Sequence, residues 1–180
     1  MAKGYTFFAT KTGLEVKAAS RKDAKGNKEG RIVLRFFTHP GKPGRNGSES
    51  EFKSEYMRFI LTPLEAYDIY MKTVEVLKNG GKKYLKHEVM DGDKKIETLV
   101  KLERWERNGK SGYGFAIKRS DTSISVAMDA VSLSYLGELL KYLSMERAWF
   151  SFSRSNGESV DEEADANNDA EEAEEVVEDF

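Results

Sequence analysis

The sequence contains no cysteine, two histidines and three prolines, and its last 23 residues carry no lysine or arginine. Without cysteine there can be no disulfide, thiolate nucleophile or cysteine zinc site, a pattern that fits a reducing compartment. Only His39 and His87 could supply imidazole, and no HExxH-type spacing or phosphate-loop glycine pattern is present. No apolar run approaches the roughly 20 residues of a membrane span. The start, "MAKGYTFFATKTG", lacks the apolar core of a signal peptide. These absences predict a soluble cytoplasmic protein with no metal, cofactor or membrane contact. They also leave an enzyme only carboxylates and lysines to work with. "DGDKK" at Asp91 to Lys95 could hold magnesium beside a lysine, as in a nuclease, but Asp91-Gly92 is a strong hairpin signal. No catalytic residue is assigned, and the expectation is a protein without enzymatic activity.

Charge is the first feature that is present rather than missing. Twelve of the 31 acids lie between Glu158 and Phe180, which leaves 19 acids against all 29 Lys and Arg in the body. The body is thus +10 and the tail −12. A block of like charges buries no core and stays solvated, so residues 156–180 are expected to be disordered. A basic body tied to such a tail is the pattern of a polyanion binder whose own tail can stand in for the polyanion.

The chain reads as a plan carried out twice. "GYTFFATK", "LEVKAASR", "GRIVLRFFTH" and "EYMRFIL" read as strands broken by turn residues. Between the last two, Pro40 to Ser50 holds two prolines and three glycines and reads as a mobile loop carrying Lys42 and Arg45. "TPLE" then predicts a helix start, with Thr62 as N-cap, Pro63 at the first helical position and Glu65 closing a capping box. Leu64, Tyr67, Met71, Val74 and Leu77 recur at helical spacing as the apparent core stripe, up to "KNGG". "KKYLKHEVMD", "KKIETLVKLERWER", "GYGFAIKRS" and "TSISVAM" supply four more strands, with Gly112 and Gly114 read as turn and strand start. Asp129 caps a second helix striped by Leu133, Leu136, Leu140 and Leu143. The expected fold is α+β: two tandem ββββα units, residues 1–80 and 81–155, with antiparallel sheets packed on helices as one globular body. "MERAWFSFSRS" is left as a last strand or a helix extension.

Alternation along the strands points to a binding surface. In "RIVLRFF", Arg31, Val33, Arg35 and Phe37 point one way and Ile32, Leu34 and Phe36 the other. In "KLERWER", Lys101, Glu103, Trp105 and Arg107 share one face. Trp105, Tyr113 and Phe115 near Lys101, Arg107 and Lys118 would let bases stack on rings while cations follow phosphates. Duplex DNA hides its base faces, so this constellation favours single strands. The expected nucleic-acid residues are Arg31, Arg35, Phe37, Lys101, Trp105, Arg107, Tyr113 and Lys118, with Lys42 and Arg45 closing over the strand.

The terminal "EEVVEDF" resembles the acidic tails of bacterial and phage single-stranded DNA-binding proteins, which end in an aromatic residue and recruit replication or repair enzymes. The resemblance implies that Glu178, Asp179 and Phe180 bind a partner protein. It also implies a setting in replication, recombination or repair, in a host cytoplasm if the chain is encoded by a phage. The element order does not match the five-stranded OB barrel usual among those proteins. It resembles instead the Whirly and positive-cofactor-four group of single-stranded DNA binders, where sheets supply the DNA surface and helices the core and dimer contacts. A homodimer is compatible with this order. Two other readings stay open: a transcription or chromatin regulator on duplex DNA or RNA, and a protein-interaction module with an acidic tail.

Overall fold

The computed structural model describes residues 4–22, 26–39, 55–91 and 94–155. The loop from Pro40 to Ser50 with Lys42 and Arg45, and the acidic segment with Glu178, Asp179 and Phe180, lie outside the described residues. Four strands, β1 (Gly4–Phe8), β2 (Thr12–Lys22), β3 (Lys28–Thr38) and β4 (Tyr56–Leu61), precede helix α1 (Pro63–Asn79). Strands β5 (Lys82–Asp91), β6 (Lys94–Arg107), β7 (Lys110–Arg119) and β8 (Thr122–Met128) precede helix α2 (Ala130–Ser155). Each set of strands forms an antiparallel meander, β1-β2-β3-β4 and β5-β6-β7-β8. The stretch after the second leucine stripe continues α2 and adds no strand.

Local chemistry sets these boundaries. The Thr62 hydroxyl accepts from the Glu65 N–H at 3.3 Å, and the Thr62 N–H donates to Glu65 Oε2 at 2.8 Å, a complete capping box ahead of Pro63. Gly80, at φ 70°, ends α1 with its N–H on the Val76 carbonyl. Asp129 Oδ1 accepts from the Ser132 N–H at 2.7 Å and starts α2. Asn108 and Gly109 have φ of 50° and 70° and join β6 to β7 in the two-residue turn that left-handed residues favour.

The core is one cluster filled from both halves, with Leu14, Ile32, Leu34, Phe36, Phe115, Ile117, Leu133, Leu136 and Leu140 essentially inaccessible. Its helices are exchanged. α2 packs chiefly on β3 of the first sheet, and α1 leans on β6 and β5 of the second as well as on β3 and β4. Two glycines permit this closeness. A Cβ at Gly30 in β3 would overlap the Arg147 carbonyl oxygen of α2 and lie 2.7 Å from its Cβ. A Cβ at Gly137 would come 3.0 Å from Thr73 Cγ2 where the helices cross.

The α1 stripe read from the sequence is corrected. Ala66, Ile69, Thr73 and Val76 face the core, while Leu64 (78 %), Met71 (51 %), Val74 (43 %) and Tyr67 (40 %) are exposed; of the predicted stripe only Leu77 packs against the core. Both lines have helical spacing, and hydrophobicity alone selects the bulkier one. Packing selects the smaller one: Thr73 meets α2 at Gly137, where a larger residue would hold the helices apart. Leu133, Leu136, Leu140 and Leu143 of α2 are buried as the pattern predicts.

α1 is also tied to the second sheet through a side-chain pair. His87 Nε2 on β5 lies 2.6 Å from Glu65 Oε1, and the His87 ring stacks on Phe59 with centroids 4.1 Å apart. Burial pushes the Glu65 carboxyl up, but hydrogen bonds from Thr62 and His87 outweigh it and hold the group below 4.5. A lowered folded value means that this contribution is complete above the unfolded value and lost as pH falls through the folded one. The melting-temperature gap between wild type and Glu65→Gln should therefore be full at pH 5.5, above the ordinary 4.5, and close as pH drops below it. A gap independent of pH would assign Glu65 no ionic role. For Gly30→Ala, denaturant titration should show a loss of about 1–3 kcal/mol, the usual cost of forcing extra atoms into a packed contact. An unchanged midpoint would mean that α2 does not press on β3 at this point.

Candidate nucleic-acid interface

Burying one face of each sheet leaves the other face outward, and strand register decides what it carries. On the first sheet, Phe8, Gly13, Phe37 and Tyr56 form one cross-strand row. The Phe37 ring covers Gly13, where any Cβ would collide with it. Phe8 packs edge-on against Phe37 at 6.0 Å and is 71 % exposed, with the His39 ring 6.0 Å from Phe8. The next row is Thr6, Glu15, Arg35 and Arg58. Both guanidinium groups lie over the Tyr56 ring, with Cζ at 4.8 Å for Arg35 and 5.4 Å for Arg58. Arg35 Nη1 is 3.9 Å from Glu15, and among the described residues its Nε has no hydrogen-bond partner.

The second sheet repeats the chemistry with different residues. Trp105 on β6 faces Gly112 on β7, and a Cβ there would lie 2.6 Å from the indole Cζ2. A ring laid over a cross-strand glycine is held by the backbone beneath it. Successive outward rows then bring Lys82, Glu103, Gly114 and Ala127, then Tyr84, Lys101, Ala116 and Ser125, then Lys86, Leu99, Lys118 and Ser123. Glu103 accepts a hydrogen bond from Lys101 at 2.7 Å and sits 3.6 Å from Lys82. The Lys101 hydrogen bond, working against burial, and the charges of Lys101 and Lys82 keep the Glu103 carboxyl below its ordinary range. Among the described residues, Lys118 and Arg107 have no carboxylate within 4.0 Å.

The hairpin end of the second sheet is already neutralised. Lys86 bridges Glu88 and Glu97 at 2.8 and 2.6 Å, and Lys95 reaches Glu88 at 2.6 Å. Hydrogen bonds from Lys86 and Lys95 push Glu88 down to about 2, and those to Glu88 and Glu97 push Lys86 up to about 12. The two sheets meet where the Thr12 hydroxyl donates to the Ser125 carbonyl at 2.8 Å, and Phe36 meets Phe115 at 5.4 Å in the core beneath. Arg119 adds a staple, from β7 to the Thr98 hydroxyl and to the Arg58 carbonyl at 3.1 Å. The aromatic end of the first sheet thus adjoins the β8 edge of the second.

The structure brings Arg31, Arg35 and Phe37 together on the first outer face and Lys101, Trp105, Arg107 and Lys118 on the second. Arg31 is occupied by Glu29 and the Gly30 carbonyl. Tyr113 is not among them. It pairs with Arg104 and Met128, shares the parity of buried Phe115, and packs against the core. Aromatic character suggested stacking for both Tyr113 and Phe115, but period-two alternation from Gly112 sends both inward, and Phe115 is a fully buried core residue. Phe8, Tyr56, Arg58, Tyr84 and Lys82 were missed. Alternation in "YMRFIL" would have found Tyr56 and Arg58, because Met57, Phe59 and Leu61 are all buried.

Among the described residues no group of three or more His, Cys, Asp or Glu is placed to hold a metal ion. No helix among them is long and apolar enough to cross a membrane. No protein-family model matches the sequence, and no curated protein does. Solved structures do match. WHY1 from Arabidopsis thaliana superimposes with a TM-score of 0.53 at 13 % identity, covering 88 % of this chain and 98 % of that one. WHY3 from the same plant gives 0.52 at 14 %, covering 85 % and 93 %. The plant transcriptional regulator PBF-2 gives 0.52 at 12 %, covering 96 % and 97 %. These Whirly proteins share the fold that the element order suggested.

Proposed function

With the Whirly fold as frame, we propose that this chain binds single-stranded DNA across the outer faces of its two sheets and performs no catalysis on it. The observation that carries this reading is the pairing of a ring laid on glycine with flanking cations on both faces, Phe37 on Gly13 and Trp105 on Gly112. A flat ring one row from Arg35, for Phe37, or from Arg107, for Trp105, suits an exposed base next to its phosphate, and stacking works for any base. A duplex would offer those rings nothing, since its base faces are covered. The acidic segment with its twelve carboxylates competes for the same cations, which suppresses weak binding. Glu178, Asp179 and Phe180 then engage replication, recombination or repair proteins.

The outward line of α1, Leu64, Tyr67, Met71 and Val74, supports a second part of the proposal. α2 adds Tyr142 (61 %) and Met145 (50 %) to the exposed apolar surface of the helix layer. An apolar helical stripe of this length in water is a contact surface, and a second copy of the chain is the occupant. That arrangement would leave the sheet faces open for DNA.

The name of PBF-2 as a transcriptional regulator keeps duplex binding as the second reading, and one assay separates the two. Trp105→Ala should weaken binding to a single-stranded oligonucleotide by about 1–3 kcal/mol while leaving duplex binding unchanged. Fluorescence anisotropy on both ligands measures it, and equal losses would favour a duplex or purely structural role for Trp105. For the oligomer, Leu64→Glu with Met71→Glu should convert the protein to monomers by light scattering. A wild type that is already monomeric at tens of micromolar refutes the helix contact.

A further inference from the structure

On each outer face one glutamate beside the ring row divides its two oxygens between two cations. Glu15 sits directly across from Arg35 and one row from the Phe37 ring; its two oxygens lie 3.1 Å from Lys17 Nζ and 3.9 Å from Arg35 Nη1. Glu103 sits across from Lys82 and one row from the Trp105 ring; its oxygens lie 2.7 Å from Lys101 Nζ and 3.6 Å from Lys82 Nζ. In both, one carboxylate divides its oxygens between two cations, as a phosphate group would. The two glutamate side chains are 21 % and 20 % exposed, but their cation partners are 33–58 % exposed, so water reaches both pairs. Both lie on the outward parity of their strands, away from the buried Leu14, Val16, Leu102 and Phe115. Ion pairs on an open sheet add roughly 0–1 kcal/mol to stability, too little for folding to require these carboxylates.

We infer that Glu15 and Glu103 are built-in substitutes for the DNA backbone, one on each sheet, which gather the cations of the empty site and weaken its hold on phosphate. This rests on the single-stranded DNA reading. Without the carboxylate, Lys17 beside Arg35 and Lys82 beside Lys101 would repel one another and swing apart. With it, the cations stay aimed outward between the ring and the phosphate track, and an arriving phosphate must displace a neighbour that then repels it. The consequence is a surface that is ordered in advance and binds more weakly than its count of lysines and arginines predicts.

The test uses the full chain with Glu15→Gln, Glu103→Gln and the double variant, each keeping the shape of the side chain and losing its charge. Binding to a fluorescent deoxythymidine oligonucleotide is followed by anisotropy across a salt series, and thermal melts check folding. Glu138→Gln, on the helix layer, is the control for net charge. Each sheet variant should bind about fivefold tighter at low salt, the effect of one unit charge removed from beside a phosphate in water. The double variant should also show a steeper salt dependence, because more phosphate contacts displace counterions. Equal tightening by Glu138→Gln would reduce the effect to bulk charge and overturn the inference. So would glutamine variants that fold and bind no tighter than wild type. A wild type that binds no oligonucleotide at any salt removes the single-strand reading itself, and the inference with it.

Discussion

The contact on which the rest of the molecule depends is the close approach of α2 to β3, made possible where Gly30 has no side chain and Arg147 offers its backbone. Because α2 belongs to the second half and β3 to the first, that contact exchanges helices between the two ββββα units. Once α2 covers the first sheet, α1 is left to lean on β5 and β6, and Glu65 meets His87 across the exchange. Each sheet then has one buried face and one open face. All the outward rows of rings and cations follow from that single choice of which face to cover.

The open faces work by a division of labour between backbone and side chain. Glycine at positions 13 and 112 supplies a flat bed, and the opposed aromatic side chain lies on it. A ring already resting on backbone has few rotamers left to lose, so under the proposed reading little ordering cost would remain when a base stacked on it. The flanking cations are restrained differently, by Glu15 and Glu103 on the sheets and by the Tyr56 ring under two guanidinium groups. Rigid platforms with tethered charges are what the proposed sequence-tolerant binding would require.

Most of this fold could be read from the chain. The capping box at Thr62 and Glu65, the Asn108-Gly109 turn and the leucine stripe of α2 each rest on short-range chemistry that survives into the folded state. The face of α1 was not legible, since two apolar lines of equal period run along it and only the neighbour at Gly137 decides between them. For the site, alternation separated Arg35 and Phe37 from Leu34 and Phe36 correctly. The same alternation in β4 and β5 carries Tyr56, Arg58 and Tyr84 outward, though these mixed strands stand out less in the sequence than "RIVLRFF". At Tyr113 residue type pointed outward, and parity decided against it.

The two halves also differ in where they place their rings. The Phe37 row lies opposite Tyr56, at the start of β4 and far from the helix that follows. The Trp105 row lies beyond the pairing of Tyr113 with Met128, at the end of β8 and next to its helix. A symmetric pair of identical ββββα chains would be obliged to show the same face twice. Joined in one polypeptide, the halves are released from that obligation. On the proposed reading, a polynucleotide crossing both faces would meet two unlike landmarks in a set order.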